Sequence, residues 1–513
     1  MSSPPLADRV GHPTVVTTPA QALARLWRML GQPDEALSRV ALTGMEPALP
    51  SSFAVGTLAQ SAIAAAALGA AHIDTLRTGR RQSVSVDMLA QSAIAAAALG
   101  AAHIDTLRTG RRQSVSVDMH HAALEFRSER YFRVGGQLPP DPSDKIAGLY
   151  RCGDGCWVRL HTNFPHHRDG VLRLLGCAHD REAVARALAG WQALAFEDAA
   201  AEAGLVVSAA RTFDEWDRHP QGMALAGLPP ITLERIGDAP PEPLPPHGEG
   251  RPLSGVRVLD LTRVIAGPVC GRTLAAHGAE VLLVTAPHLP SIPPLVIDTG
   301  RGKRSARLDL RDPADAGRLR ALLRDADLFI QGYRPGGLAA LQFGPQQAAA
   351  LRPGIVYVSL SAYGHAGPWA DRRGFDSLVQ TASGFNRAEA EAAGEARPRP
   401  LPAQALDHAA GYLMAAGAMA ALARRLTEGG SWHVRVSLAQ TAHWLRGLGR
   451  LDHGLGAADP RYEDIGPWLE TAASGFGPLT ALRHAGQLSD TPPRWTLPAV
   501  PLGTHAAAWP SPR

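Results

Sequence analysis

The chain has 513 residues, a formal net charge of +4 and 45% hydrophobic residues, enough for two or three domains around a sizeable core. The charge balance is mild, and no run of five basic residues or basic–aromatic stripe occurs, so a nucleic-acid surface is excluded and a small anionic ligand fits better. No alanine-rich stretch approaches the roughly 20 apolar residues of a membrane span, Met1 to Pro13 lacks a charged-then-apolar leader pattern, and the four cysteines lack CxxC or metal-ligand spacing; a cytoplasmic protein with reduced thiols, no metal and no membrane association is expected.

In chain order, residues 1–48 form a lead segment and 49–135 a partial domain. Within the latter, residues 58–88 and 89–119 are identical. Solenoid repeats diverge at their surfaces and need about three units to bury a core, so two perfect copies are the mark of a recent duplication or of a sequence-assembly error. Each copy predicts an alanine-rich helix, a Thr-Gly-Arg-Arg turn and a short strand. The second runs on into His120-His121-Ala122 with Asp118 placed to cap a helix, so one copy fills the native slot there and the extra residues are expected to loop out.

Residues 136–238 predict a small α+β domain that opens with a hairpin, Leu149–Cys152 and Cys156–Leu160 around the turn Gly153-Asp154-Gly155. Cys152 and Cys156 flank that turn and suit cross-strand packing. His161, His166 and His167 lack a carboxylate or Cys at ligand spacing and read as surface or core histidines. A Pro/Gly linker spans 239–252. From 253 to 445, strands at Val256–Leu261, Glu280–Val284, Asp327–Ile330 and Ile355–Leu360 alternate with helices from Pro268 and over Asp312–Asp325, which predicts a doubly wound parallel sheet. The tail, 446–513, has no clear period and no assigned role.

The segment Val115-Ser116-Val117-Asp118-Met119 echoes Val434-Arg435-Val436-Ser437-Leu438. Each follows an alanine-rich helix and a glycine turn and leads into another helix, so the chain holds pieces of two related units.

Ligands of open parallel sheets sit at the carboxyl ends of the strands. The first βα turn there, Thr262-Arg263-Val264-Ile265-Ala266-Gly267-Pro268, is not GxGxxG, and Val284 leads into Thr285-Ala286-Pro287 without an acid, so a dinucleotide is disfavoured. Asp376, held between Gly374 and Gly384 just past a strand, can present a carboxylate nucleophile to a bound molecule. Lys303 is one of only two lysines in the chain; with Arg301, Arg304 and Arg334 it lies on glycine-flanked turns suited to phosphate oxygens.

Several short motifs fall in one order: Gly255-Val256-Arg257-Val258-Leu259-Asp260-Leu261-Thr262, Ala266-Gly267-Pro268, Gly278-Ala279-Glu280-Val281, Gly302-Lys303-Arg304-Ser305, Leu308-Asp309-Leu310, Tyr333-Arg334-Pro335-Gly336 and Gly374-Phe375-Asp376. Together they resemble the large domain of the class III CoA-transferases, the family of formyl-CoA transferase, carnitine CoA-transferases and alpha-methylacyl-CoA racemase. The resemblance implies an acyl-CoA:carboxylate CoA-transferase with no tightly bound cofactor and a coenzyme A thioester as substrate. A small carboxylic acid is the implied acceptor, in a homodimer. It implies Asp376 as the nucleophile of a covalent aspartyl intermediate and Arg301, Lys303, Arg304 and Arg334 as coenzyme A contacts, with Asp407 at a family position near the site. Alternatives are a racemase-type isomerase, whose family members carry a His where Phe375 stands, and a degenerate acyl-CoA binder. Thr285 and Gly300 depart from the family's usual acid and Asn, and the glycine loop that covers the site has only Gly135-Gly136-Gln137 as a counterpart.

Overall fold

In the computed structural model, residues 16–32, 34–78, 115–141, 143–244, 251–488 and 491–510 are described. Seven strands make the main sheet: β1 (Ile231–Gly237), β2 (Arg257–Leu261), β3 (Glu280–Thr285), β4 (Lys303–Arg307), β5 (Leu328–Gln331), β6 (Val356–Ser361) and β7 (Ser431–Ser437). Their spatial order is β4-β3-β2-β5-β6-β7-β1. β2 to β7 run parallel, and β1 closes one edge antiparallel to β7. This is the doubly wound arrangement the alternation predicts, with its switch point between β2 and β5. The predicted strands coincide with β2, β3, β5 and β6 to within a residue or two. β2 is buried at all five positions, as a parallel strand covered on both faces must be.

Four helices shape the ligand side of this sheet: α1 (Val55–Thr78), α2 (Ala266–Ala276), α3 (Asp376–Ala382) and α4 (Ala405–Glu428). Nearly every residue of α4 from Ala405 to Ala423 is buried, the signature of a helix packed on all sides. Two glycines let it seat closely. A Cβ on Gly411 would lie 2.5 Å from the Ala266 carbonyl oxygen at the start of α2, and one on Gly417 would lie 2.5 Å from Ile231 and Val434 of the sheet. α1 packs along α4 from the other side.

The duplicated segment is used in parts. α1 comes from the first copy, while the strand Val115–Asp118 and the helix Met119–Glu125 that it leads into lie at the junction of the second; the expected loop-out of 79–114 lies outside the described residues. The Asp118 side chain accepts from His121 N, capping that helix. The echo at β7 is structural as well, since Ser437 accepts from Gln440 N at the start of helix Leu438–Gly447. The first unit's strand, however, pairs with Val40–Thr43 and Gln487–Leu488 in a separate three-stranded sheet.

The small domain contains the predicted hairpin, Gly148–Arg151 with Trp157–Leu160, extended by Val207–Ala209. Its core gathers Ile146, Tyr150, Val158, Val184 and Phe196. Cys152 is buried, Cys156 is exposed and neither is bonded. The tail has a structural use that its composition hides: His505 N donates to the Ser305 carbonyl and Gly302 N donates to the Leu497 carbonyl, so the tail covers the open edge of β4. Among the described residues no helix is long and apolar enough to cross a membrane.

One buried ion pair ties β4 into the sheet. Lys303 is 2% exposed and its Nζ lies 2.8 Å from Asp260 Oδ2 on β2 and 2.8 Å from the Pro268 carbonyl of α2. Gly271 of α2 makes the room, because a Cβ there would meet Asp260 Oδ2 at 2.4 Å. The glycine-flanked loop expected for residues 300–304 is thus corrected: Lys303 and Arg304 open a strand, and alternation turns the lysine inward. Lys303→Met should leave Asp260 as an uncompensated buried charge and cost about 3–5 kcal/mol in urea unfolding; an unchanged midpoint would show that the pair does not hold this edge.

Candidate active site

The loops after β2 to β6 converge at the carboxyl ends of the strands around a cavity of about 520 Å³, within the usual range for small-molecule sites. Its wall includes Arg263 to Ala266 after β2, Thr285 and Ala286 after β3, Leu308 to Arg311 after β4, Gly332 to Pro335 after β5, and Ser361 and Ala362 at the end of β6. The small domain closes it with Phe164, His166 and His167, and the loop before α3 adds Arg372 to Phe375. Asp407 of α4 completes the wall.

Asp376 is the first residue of α3 and is 1% exposed. Its carboxylate serves a different helix. Oδ2 accepts from Leu406 N at 2.8 Å and Asp407 N at 2.9 Å, the first-turn amides of α4, and Oδ1 accepts from Gln380 Nε2. α4 has no side-chain cap of its own, so the carboxylate satisfies orphan donors and sits in the favourable field of a 24-residue helix. Gln380 is fixed in turn by Leu401 N, which donates to its Oε1 at 3.0 Å. The neighbours Phe375 and Asp407 both line the cavity.

Burial pushes Asp376 up to about 6 against the opposing pull of those hydrogen bonds. For Asp407, burial and then the negative charges of Asp376 and Glu129 push the carboxyl well above the ordinary range. Burial thus disfavours charge on both carboxyls, and it does so more strongly at Asp407, whose side chain lacks the helix amides that favour the charged form of Asp376. The charge of Asp376 partly offsets the burial that lowers Arg159 to about 10. Burial holds His161 and His167 down to about 3, so both rings are neutral. His161 lies flat on Phe375, with ring centroids 3.8 Å apart and planes 7° from parallel.

The four cations expected at the coenzyme do not gather. Arg334 lines the cavity and is exposed. Lys303 is spent on Asp260 of β2. Arg301 is buried elsewhere, donating to the Leu482 carbonyl at 2.7 Å and stacked 4.0 Å from the Trp495 ring; Arg304 is half-buried, with His505 of the tail close enough to feel its charge. The strand geometry of β4 is the reason, since it carries 303 and 304 away from the ligand side. The cavity presents Arg263, Arg311, Arg372 and Arg373 instead. Val264 in that first turn has φ 74°, costly for a β-branched residue and typical of turns shaped around ligands. Gly300 is explained by space, because a Cβ there would lie 2.5 Å from the Val296 carbonyl oxygen. Gly135 and Gly136 form a turn between Val134 and Gln137 and do not line the cavity.

Sequence reasoning missed Arg159, Arg263, Arg373 and the histidines of the small domain. Arg263 and Arg373 carried a signal, the one in the first βα turn and the other directly before Gly374-Phe375-Asp376; Arg159 and the histidines come from a domain whose docking no spacing reveals.

Among known proteins, the chain is 31% identical over 316 residues to an acyl-CoA transferase of Gibberella moniliformis, covering 57% of this chain and 55% of that one. It is 33% identical over 212 residues to a probable fatty acyl-CoA transferase of Mycobacterium tuberculosis, covering 39% and 53%. It is 34% identical over 147 residues to human succinyl-CoA:glutarate CoA-transferase, covering 26% and 34%. The solved structure of the mycobacterial protein matches with a TM-score of 0.36 at 32% identity, over 38% of this chain and 56% of that one. The chain thus spans about half the length, or less, of these relatives. The model of CoA-transferase family III matches residues 57–238 and 253–467, most of the sequence, and the chain belongs to that family.

Proposed function

We propose that this protein moves coenzyme A from an acyl-CoA to a small carboxylic acid, with Asp376 as the covalent carrier. The observation that carries the proposal is the seating of Asp376: a buried carboxyl, fixed on the amides of α4 between two residues that line the cavity. A desolvated carboxylate is a competent nucleophile toward a thioester. Asp376 would attack the acyl-CoA carbonyl to form an aspartyl–acyl anhydride and release coenzyme A thiolate. The thiolate then attacks the aspartyl carbonyl, giving an aspartyl-CoA thioester and the free donor acid. The acceptor carboxylate attacks that thioester to form a second anhydride, and thiolate attack on its acyl carbon yields the new acyl-CoA and regenerates Asp376.

The Asp407 carboxyl, pushed up by burial beside the nucleophile, can donate a hydrogen bond to the oxyanions of these steps in its protonated form. Arg334 and Arg311 at the strand ends suit the coenzyme's phosphates, and the N-terminus of α2, which has no side-chain cap, opens at the switch point. An isomerase would need an acid–base residue before the nucleophile, and Phe375 there favours transfer. A homodimer remains part of the proposal.

Intact mass measured after incubation with acyl-CoAs should show a hydroxylamine-labile coenzyme A adduct. Asp376→Asn should abolish it and lower turnover by about a thousandfold or more; turnover that survives the substitution contradicts the assignment.

The pH dependence has a definite sign. Because the folded state raises the Asp376 carboxyl to about 6, from about 4 in an unfolded chain, transfer should fall as pH drops through about 6. The stability contribution runs the other way: it is present below about 4 and is lost as pH rises through about 6. Urea midpoints of the wild type, relative to Asp376→Asn, should decline across that window; parallel profiles would refute the raised value.

A further inference from the structure

The two oxygens of Asp376 are not held alike. Oδ2 accepts two backbone N–H groups, Leu406 N at 2.8 Å and Asp407 N at 2.9 Å, whereas Oδ1 has one hydrogen-bond partner among the described residues, the Gln380 side chain. A carboxylate oxygen accepts at about two in-plane positions. Oδ2 is therefore filled, and Oδ1 keeps an open lone pair.

Gln380 lies one turn along α3 from Asp376, so both side chains share a face of that helix. It is 1% exposed, and its surroundings allow its amide a single orientation. Oε1 accepts from Leu401 N at 3.0 Å, which turns Nε2 toward Asp376 Oδ1 and toward the Ala403 carbonyl, 3.2 Å away. The reverse orientation would set a carbonyl oxygen against the carboxylate and N–H against N–H. Leu401 and Ala403 belong to the run that enters α4 at Ala405. One amide thus grips Oδ1 directly and, through that run, steadies the helix end that grips Oδ2.

This asymmetry assigns the atoms of the transfer. With the acyl group carried on Oδ1 in the anhydride, thiolate attack at Cγ breaks the Cγ–Oδ1 bond, and that oxygen leaves with the donor acid. Oδ2 stays as the thioester carbonyl. Negative charge that develops on it meets two amides already at 2.8 Å and 2.9 Å, the spacing such a pocket requires. The incoming carboxylate oxygen then takes the vacated place beside Gln380 Nε2.

Resting on the transferase reading, we infer that Gln380 is a positioning residue, which commits Oδ1 of Asp376 to attack and keeps Oδ2 in the backbone pocket.

The test separates a hold on the carboxylate from a role in packing. The Gln380 hydrogen bond favours the charged form of Asp376, so Gln380→Met should move the acid limb of kcat up by about one pH unit from about 6. It should also lower kcat about tenfold at neutral pH, with part of the loss recovered above about pH 8. Asp407, His408 and Arg159, whose charges interact with Asp376, are untouched by the substitution. Gln380→Asn keeps a polar side chain in place but withdraws its amide by one carbon; it should shift the limb in the same direction even if the methionine variant does not fold. Ser383→Ala, which removes a hydrogen bond to the Val379 carbonyl at the end of α3, should lower the urea midpoint and leave the limb where it is. A 13C titration of the Asp376 carboxyl, assigned by its loss in Asp376→Asn, reads the same contact without turnover. If that titration moves up in the Gln380 variants while no acid accepts coenzyme A from the wild type, the hold on Oδ1 stands and the transferase reading fails. If limb and titration keep their wild-type positions in the Gln380 variants, with only stability and kcat lowered, Gln380 serves packing alone and the inference is overturned.

Discussion

The candidate chemistry depends on one contact, the seating of the Asp376 carboxylate on the first-turn amides of α4. The contact joins two demands that usually conflict. Burial alone would neutralise an aspartate, and the helix amides alone would hold it deeply ionised and inert. Their balance leaves a carboxyl at about 6, charged at neutral pH yet stripped of the water that would quench it. α4 can supply those amides because it is fixed on every side, by α1, by α2 through Gly411 and by the sheet through Gly417.

Asp407 extends the same logic. Its backbone N–H favours the charged form of Asp376, while burial and the negative charge of Asp376 push its own carboxyl up. One residue thus supplies a donor to the proposed nucleophile and a second polar group to the cavity wall. Phe375, on the other side, makes the approach apolar and is itself backed by His161. Around this centre the fold divides the labour, with β-strand loops forming one wall and the small domain the other.

Much of this was legible in the sequence where local pattern and tertiary structure agree. Strands β2, β3, β5 and β6 showed because largely buried parallel strands are apolar runs between helical periods, and Asp376 stood out as a candidate because glycines bracket it. β4 did not, because Arg-Gly-Lys-Arg reads as a polar loop; only the structure reveals Asp260 and the space over Gly271 that let Lys303 turn inward. The bias toward reading cations as phosphate ligands failed there for the same reason. Arg159 and His167 were invisible, since their relation to Asp376 exists only once the small domain docks. The duplicated segment shows a further limit: identical residues at 58–78 and 89–109 cannot both occupy the helix slot beside α4, and sequence alone does not say which copy does.

The most direct test of the central claim follows an oxygen atom. If the acceptor carboxylate passes through an anhydride with Asp376, then acceptor acid labelled with 18O must leave one labelled oxygen on that side chain each time the enzyme is regenerated. Peptide mass spectrometry after turnover in unlabelled water should find the peptide bearing Asp376 heavier by one 18O, with no label on the peptide bearing Asp407. An enzyme that turns over while its Asp376 peptide stays unlabelled would contradict the covalent role of that carboxylate.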